Sequence, residues 1–228
     1  MQIYRGLSIG TAKPTEEERR GIPHHLLDFL PPEQSYSVAD YVDAAGRKIE
    51  EITARDALPI LAGGTGLYIT SLLQGVRFAP QKTDPALRQR LQREAETGGS
   101  QALYARLCAA DPAYAAKVHP NNLPRVIRAL ELYELTGQTR ETQQQGSRPE
   151  TPPYRSLCLC LTCRDRALLY RRIDRRVDKM MESGLLEEAE QVWRNRAQYR
   201  TAAQAIGYKE FFPYFEQTQT LGACTARL

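Results

Sequence analysis

The chain has 228 residues, of which 42% are apolar and 25% charged, and its formal net charge is +4. That balance fits a soluble globular protein with a sizeable core, and no apolar run approaches the roughly 20 residues that span a bilayer. Five cysteines, an odd number in a chain without a signal peptide or other secretory features, read as free thiols of a reducing cytoplasm, and the mild positive charge permits an acidic partner such as RNA without demanding one.

In chain order, residues 15–35 are rich in Pro, Glu and His and read as a loop with a short helical turn. Ser37 is an N-cap candidate, and Val38, Tyr41, Val42, Ala45, Ile49 and Ile52 then repeat at helical spacing, which predicts an amphipathic helix ending near Asp56. Leu58-Pro-Ile-Leu-Ala62 reads as a short buried strand, followed by Gly63-Gly64-Thr65-Gly66 and a helix from Leu67 to Leu73. Strand, glycine turn and helix together predict an α/β chain with a parallel sheet. Between about residues 79 and 152 helical patterns alternate with Asp84-Pro85, Gly98-Gly99, Asp111-Pro112 and His119-Pro120, as expected of an inserted helical unit that closes in a polar linker over 142–153. Ser156 to Thr162 reads as a return to a buried core strand. A long helix from about Arg164 follows, with Leu169, Ile173, Val177, Met180 and Met181 on one stripe and Gly184 as its cap or bend. Further helices are predicted over Leu185–Trp193 and Tyr208–Phe215. The expected domains are therefore 1–78 with 153–228 as a core, and 79–152 as the insertion.

Four constellations bear on chemistry. The turn at 63–66 sets backbone N–H groups and a helix start at the end of a parallel strand, where anions bind, although an ordinary tight turn has the same appearance. Arg172 and Arg176 stand four apart on one helical face and suit a diphosphate, while Asp174 and Asp178 are also spaced for intrahelical pairs, as on the solvated charged face of a long helix. Arg125 and Arg128, three apart behind Pro124, could meet phosphates or stack on a loop base, or serve packing and a surface ion pair. Gln204-Ala-Ile-Gly-Tyr-Lys209 offers a cation for a phosphate, with Tyr208 either a hydrogen-bonding and stacking group or a core plug beside Phe211 and Phe212. Cys158, Cys160 and Cys163 lack a second ligand pair at zinc spacing and read as small core residues. His24-His25 reads as loop structure.

The segments Gln2-Ile-Tyr-Arg-Gly-Leu-Ser-Ile-Gly-Thr-Ala-Lys-Pro14, Pro23-His-His-Leu26 with Asp28, Gly63-Gly-Thr-Gly-Leu-Tyr68, His119-Pro-Asn-Asn-Leu-Pro-Arg125 with Arg128-Ala-Leu-Glu131, Arg172-Ile-Asp-Arg-Arg176-Val-Asp-Lys-Met180 and Ile206-Gly-Tyr-Lys209 occur in the order and spacing of the tRNA dimethylallyltransferases, and the chain resembles that family over essentially its whole length. The resemblance implies a P-loop NTPase-like parallel-sheet core with an inserted helical tRNA-binding domain. It implies transfer of a dimethylallyl group from dimethylallyl diphosphate to N6 of the adenosine 3′ of the anticodon, in tRNAs that read codons beginning with U. By the same resemblance Arg176 and Thr65 are catalytic, Arg172 and Arg176 hold the diphosphate, and tRNA is contacted by Met1, Gln2, Thr65, Arg88, Pro124, Arg125, Val126, Ile127, Arg128, Gln204, Ala205, Ile206, Gly207, Tyr208 and Lys209. Mg²⁺ is the implied cofactor, with nucleotide (ATP) binding of the P-loop kind, tRNA and the isoprenoid diphosphate are the partners, and a cytoplasmic monomer is the expected full-length form.

The sequence contains no Gly-x-Thr-x-x-Gly-Lys-Thr/Ser loop, and the family's proposed general base and first strand would precede Met1, just as its basic C-terminal helix would follow Leu228. The expectation is an incomplete core lacking its first strand, inactive alone, with unpaired edges and self-association. Two alternatives are a tRNA-binding remnant without transfer activity and an adenylate isopentenyltransferase acting on free nucleotides. Arg125 and Arg128 in the insertion favour tRNA over the latter.

Overall fold

The computed structural model describes residues 1–78 and 84–228, so the left-hand border expected near residue 79 lies outside the described residues. In chain order the helices are α1 (Glu16–Arg19), α2 (Val38–Thr53), α3 (Gly66–Leu73), α4 (Pro85–Ala110), α5 (Pro112–Ala115), α6 (Leu123–Thr136), α7 (Arg140–Ser147), α8 (Arg166–Glu182), α9 (Leu185–Arg194), α10 (Phe212–Phe215) and α11 (Leu221–Thr225). They group into two compact units, residues 1–60 with 157–228 and residues 61–156.

Local chemistry explains most boundaries. Ser37 caps α2 in a reciprocal capping box with Asp40, and Thr15 does the same for α1 with Glu18. Asp84 accepts from the N–H groups of Ala86 and Leu87 and Pro85 opens α4, which continues to Ala110 across a non-helical Gly99 at φ +80°. Gly184, at φ +97°, separates α8 from α9. Two expectations need correction here. The polar run after residue 142 is no plain linker, because Thr139 accepts from the N–H of Thr142 and starts α7 through Ser147. The aromatic segment 208–215 is two short pieces, a 3₁₀ turn over Lys209–Phe211 and then α10, with Pro213 in its first turn.

The core of the first unit gathers Tyr4, Leu7, Leu185, Ala189, Val192, Tyr199, Tyr208 and Phe211. In the second unit Leu87, Leu91, Leu103 and Leu107 of α4 pack with Val126, Ile127 and Leu130 of α6. Among the described residues no helix is long and apolar enough to cross a membrane.

The largest departure concerns the sheet. Among the described residues no strand forms, and one parallel bridge, Tyr4 to Leu30, is the extended pairing found. Residues 58–62 and 156–162 are neither buried nor paired: Leu58 and Ile60 are each 84% exposed, and Leu157, Leu159 and Leu161 are 85%, 82% and 97% exposed. The expected core strands are thus extended segments whose composition demands cover they do not have. Cys158 and Cys160, expected in the core, are exposed with them. Such apolar edges carry open backbone donors and acceptors and favour edge-to-edge association. We expect concentration-dependent oligomers by light scattering, and Leu159→Lys with Leu161→Lys to shift the population toward monomer; a parent chain that is monomeric at tens of micromolar would contradict this.

Candidate functional site

In the first unit a buried carboxylate organises the loop at residues 7–13. Glu188, 9% exposed, accepts from the backbone N–H groups of Ser8 (2.7 Å), Ile9 (3.0 Å) and Gly10 (2.9 Å) and from the hydroxyl of Tyr208 (2.8 Å). Consecutive N–H groups turned inward form an anion-binding nest, which here is filled by the protein's own carboxylate. Hydrogen bonds to a charged acceptor are worth about 1.5–3 kcal/mol each, so Glu188 ties the loop firmly to α9. Gln2 closes the loop from the other side, its amide donating to the carbonyls of Thr11 (3.0 Å) and Ala12 (2.8 Å). Lys13 donates to the Tyr4 carbonyl (2.7 Å) and pairs with Asp28, and that hydrogen bond holds the Asp28 carboxyl below its ordinary value.

The segment 204–210 packs on this loop at contact distance. Tyr208 is fully buried, and a Cβ built on Gly10 would stand 2.6 Å from its ring. Gly207 sits at φ +101°, where a Cβ would lie 3.3 Å from the Gly10 carbonyl oxygen, and its N–H donates to Glu210 (2.9 Å). Both glycines are required by close approach, and Gly207 also by its backbone angle. Burial, and then the Glu188 charge, push the Tyr208 phenol up in pKa. An unfolded tyrosine ionises near pH ~10, so the folded state holds this proton where the unfolded state releases it, and stability falls as pH rises above about 10. Tyr208→Phe is expected to cost about 1–2 kcal/mol at neutral pH and to flatten that alkaline loss, read as melting temperature between about pH 9 and 11. An unchanged alkaline slope would reject the assignment.

Helix α8 presents its guanidinium groups without competition. It buries no residue, Arg172 and Arg176 are exposed, and among the described residues no ion pair involves α8, Asp174 and Asp178 included. Leu169 (39% exposed) and Ile173 (41%) lie open on the same helix, whereas Met180 and Met181 at its end pack on the core.

In the second unit Thr65 is the exposed N-cap of α3, and its side chain makes no capping bond. Nothing approaches within 4 Å of a Cβ placed on Gly63, Gly64 or Gly66, so open space surrounds the turn. On the face between α4 and α6, Arg88 Nη2 (2.7 Å) and Arg128 Nη1 (2.8 Å) both donate to Oε2 of Glu131, which is 1% exposed. Arg125 is exposed and makes no ion pair among the described residues. No group of three or more His, Cys, Asp or Glu side chains among the described residues could hold a metal ion.

Similarity to known proteins decides what these surfaces belong to. The family model for IPP transferase matches residues 2–228. The tRNA dimethylallyltransferase of Bacillus subtilis is 46% identical over 228 residues, covering 100% of this chain and 72% of its relative, and that of Roseiflexus sp. is 45% identical with 73% of its length covered. The chain belongs to the IPP transferase family. Among solved structures, the full-length tRNA isopentenylpyrophosphate transferase of Bacillus halodurans is 42% identical over 99% of this chain and 69% of its own, with a TM-score of 0.65. A eukaryotic dimethylallyltransferase acting on tRNA is 30% identical over 100% of this chain and 57% of its own, with a TM-score of 0.80.

As an IPP transferase the chain displays some of its expected contacts and hides others. Met1, Thr65, Arg88, Pro124, Arg125, Arg172, Arg176, Gln204, Ile206 and Lys209 are exposed, and Arg128, Gln2 and Ala205 are partly so. Val126 and Ile127 are not available as tRNA contacts, since their side chains fill the core against α4. Tyr208 and Gly207 are buried likewise, so Tyr208 braces the 7–13 loop and offers no stacking face. Motif spacing singles out neither Glu131 nor Glu188. Periodicity reveals both: Glu188 shares the buried stripe of Leu185, Ala189 and Val192, and Glu131 stands three residues after Arg128.

Proposed function

We propose that this IPP transferase chain carries the diphosphate-holding and tRNA-reading surfaces for transfer of a dimethylallyl group from dimethylallyl diphosphate to N6 of the adenosine 3′ of the anticodon, in tRNAs that read codons beginning with U. The observation that carries the reading is the Arg172 and Arg176 pair on α8, which among the described residues forms no ion pair with any carboxylate. Forks of N–H donors left free in this way are suited to an isoprenoid diphosphate. In the reaction the N6 to C1 bond forms as the C1 to oxygen bond breaks, and the electron pair leaves with the diphosphate. Arg176, with Arg172 beside it, meets the charge that develops there. The N6 lone pair is delocalised into the purine, so the base must be turned out of the loop and its proton taken by a base that none of the residues named here supplies. Thr65, exposed at the turn before α3 and without a capping bond, is the hydroxyl assigned to donate to the nucleotide. Arg125, Arg128, Arg88 and Lys209 are the cations assigned to tRNA phosphates, and Gln204 and Ile206 are exposed for further contacts with the nucleic acid.

The test is transfer of labelled dimethylallyl from its diphosphate to unmodified tRNA with Mg²⁺. The 228-residue chain is assayed beside a form extended upstream to include a Gly-x-Thr-x-x-Gly-Lys-Thr/Ser loop. Label in tRNA from the extended form supports the reading, and label from the short chain as well makes that loop dispensable. Absence of label with both would overturn it. The cytoplasm is the compartment consistent with a tRNA substrate and five free thiols.

A further inference from the structure

We propose that Glu131 is a positioning residue for tRNA binding, a buried carboxylate that holds Arg88 and Arg128 as one aimed pair. The proposal rests on the tRNA-reading function given above. The geometry is asymmetric in a useful way. Glu131 is 1% exposed and takes one N–H from each guanidinium on a single oxygen, at 2.7 Å from Arg88 and 2.8 Å from Arg128, while the two arginine side chains remain 47% and 29% exposed. One negative charge thus offsets one of two positive charges, and the pair retains a net positive charge facing solvent. Each guanidinium carries five N–H donors in a rigid plane, so spending one on Glu131 leaves the others for phosphate oxygens or a base edge. Two helices are fixed together by the same contact: Arg88 lies in the first turn of α4, set by the Asp84 cap, and Arg128 lies one turn before Glu131 on α6.

Electrostatics alone and positioning predict opposite signs. Removing a carboxylate from beside two RNA-facing cations raises the local positive charge and should tighten binding to a polyanion and steepen its salt dependence. If Glu131 aims the arginines, its loss should weaken binding although the protein becomes more positive, because freed guanidinium groups must be ordered anew against each phosphate.

The experiment measures affinity of the 228-residue chain for an unmodified tRNA transcript whose anticodon reads a codon beginning with U, as a function of salt, with folding of each variant checked by circular dichroism. Glu131→Gln is expected to bind about 5–10-fold more weakly, with the log–log salt slope reduced by about one. Arg88→Lys, an exposed substitution that keeps charge and fold, is expected to bind about 3–5-fold more weakly, since one ammonium cannot serve Glu131 and a phosphate in fixed directions. Arg125 makes no ion pair among the described residues, so Arg125→Lys should change less than Arg88→Lys. Glu131→Gln binding as tightly as the parent or tighter would overturn the proposal alone. Should Glu131→Gln fail to fold, an Arg88→Lys variant binding as tightly as the parent would overturn it equally. A parent chain without salt-dependent tRNA binding would instead overturn the tRNA reading, and this proposal with it.

Discussion

Replacing Arg176 by alanine is expected to lower kcat/KM for dimethylallyl transfer by about 10²–10³-fold in the upstream-extended form, and to leave the thermal stability of the 228-residue chain unchanged. The magnitude is that of removing one preorganised donor from a developing anion, about 3–4 kcal/mol of transition-state stabilisation. Unchanged folding follows from the surroundings: α8 buries no side chain and, among the described residues, joins no ion pair, so truncation removes no native contact of consequence. Arg172→Ala should cost less, about tenfold, and Arg176→Lys should recover part of the loss, because an ammonium supplies charge without the fork. A structural role would show the opposite pattern, lowered stability with intact turnover. Transfer kinetics of Arg176→Ala within twofold of the parent would remove this residue from the mechanism.

The second large effect concerns Gly10. Gly10→Ala is expected to destabilise the first unit by about 1–3 kcal/mol, read as a lower urea midpoint, since overpacking a closed site forces backbone or side-chain shifts. The added Cβ would lie 2.6 Å from Cε1 and 2.9 Å from Cζ of Tyr208, and 3.1 Å from a Leu185 methyl. Tyr208 and Leu185 are both fully buried, and Tyr208 is held by Glu188, so neither has room to swing away. Any relief must come from the 7–13 loop, which would break its hydrogen bonds to Glu188. Gly63→Ala is the matched control: nothing lies within 4 Å of its Cβ, and its midpoint should move little. Equal midpoints for the two variants would show that the loop yields without cost.

The sequence was most legible where a local rule acts alone. Ser37 with Asp40, Asp84 before Pro85 and Gly184 each mark a boundary through hydrogen bonds or backbone angles reached within a few residues, and the helices begin or end there. It was least reliable where an element needs a distant partner. Leu58–Ala62 and Ser156–Thr162 have the composition of core strands, yet a strand exists through its neighbours, and among the described residues these segments have none. The same division runs through the site. Motif spacing drew attention to Thr65, Arg125, Arg172 and Arg176, which are exposed, but it could not separate them from Val126, Ile127 and Tyr208 in the same motifs, because burial depends on what α4 and α9 bring opposite.

By itself, then, the order of residues determined the family, the helical character of the segment from Pro85 to Ser147 and a set of exposed cations, since those follow from local spacing and side-chain chemistry. Tertiary structure alone decided which of the motif residues are free to act. A carboxylate such as Glu188 or Glu131 gains its role only when folding removes it from water and surrounds it with donors from elsewhere in its unit, the N–H groups of Ser8, Ile9 and Gly10 in one case and the guanidinium group of Arg88 in the other.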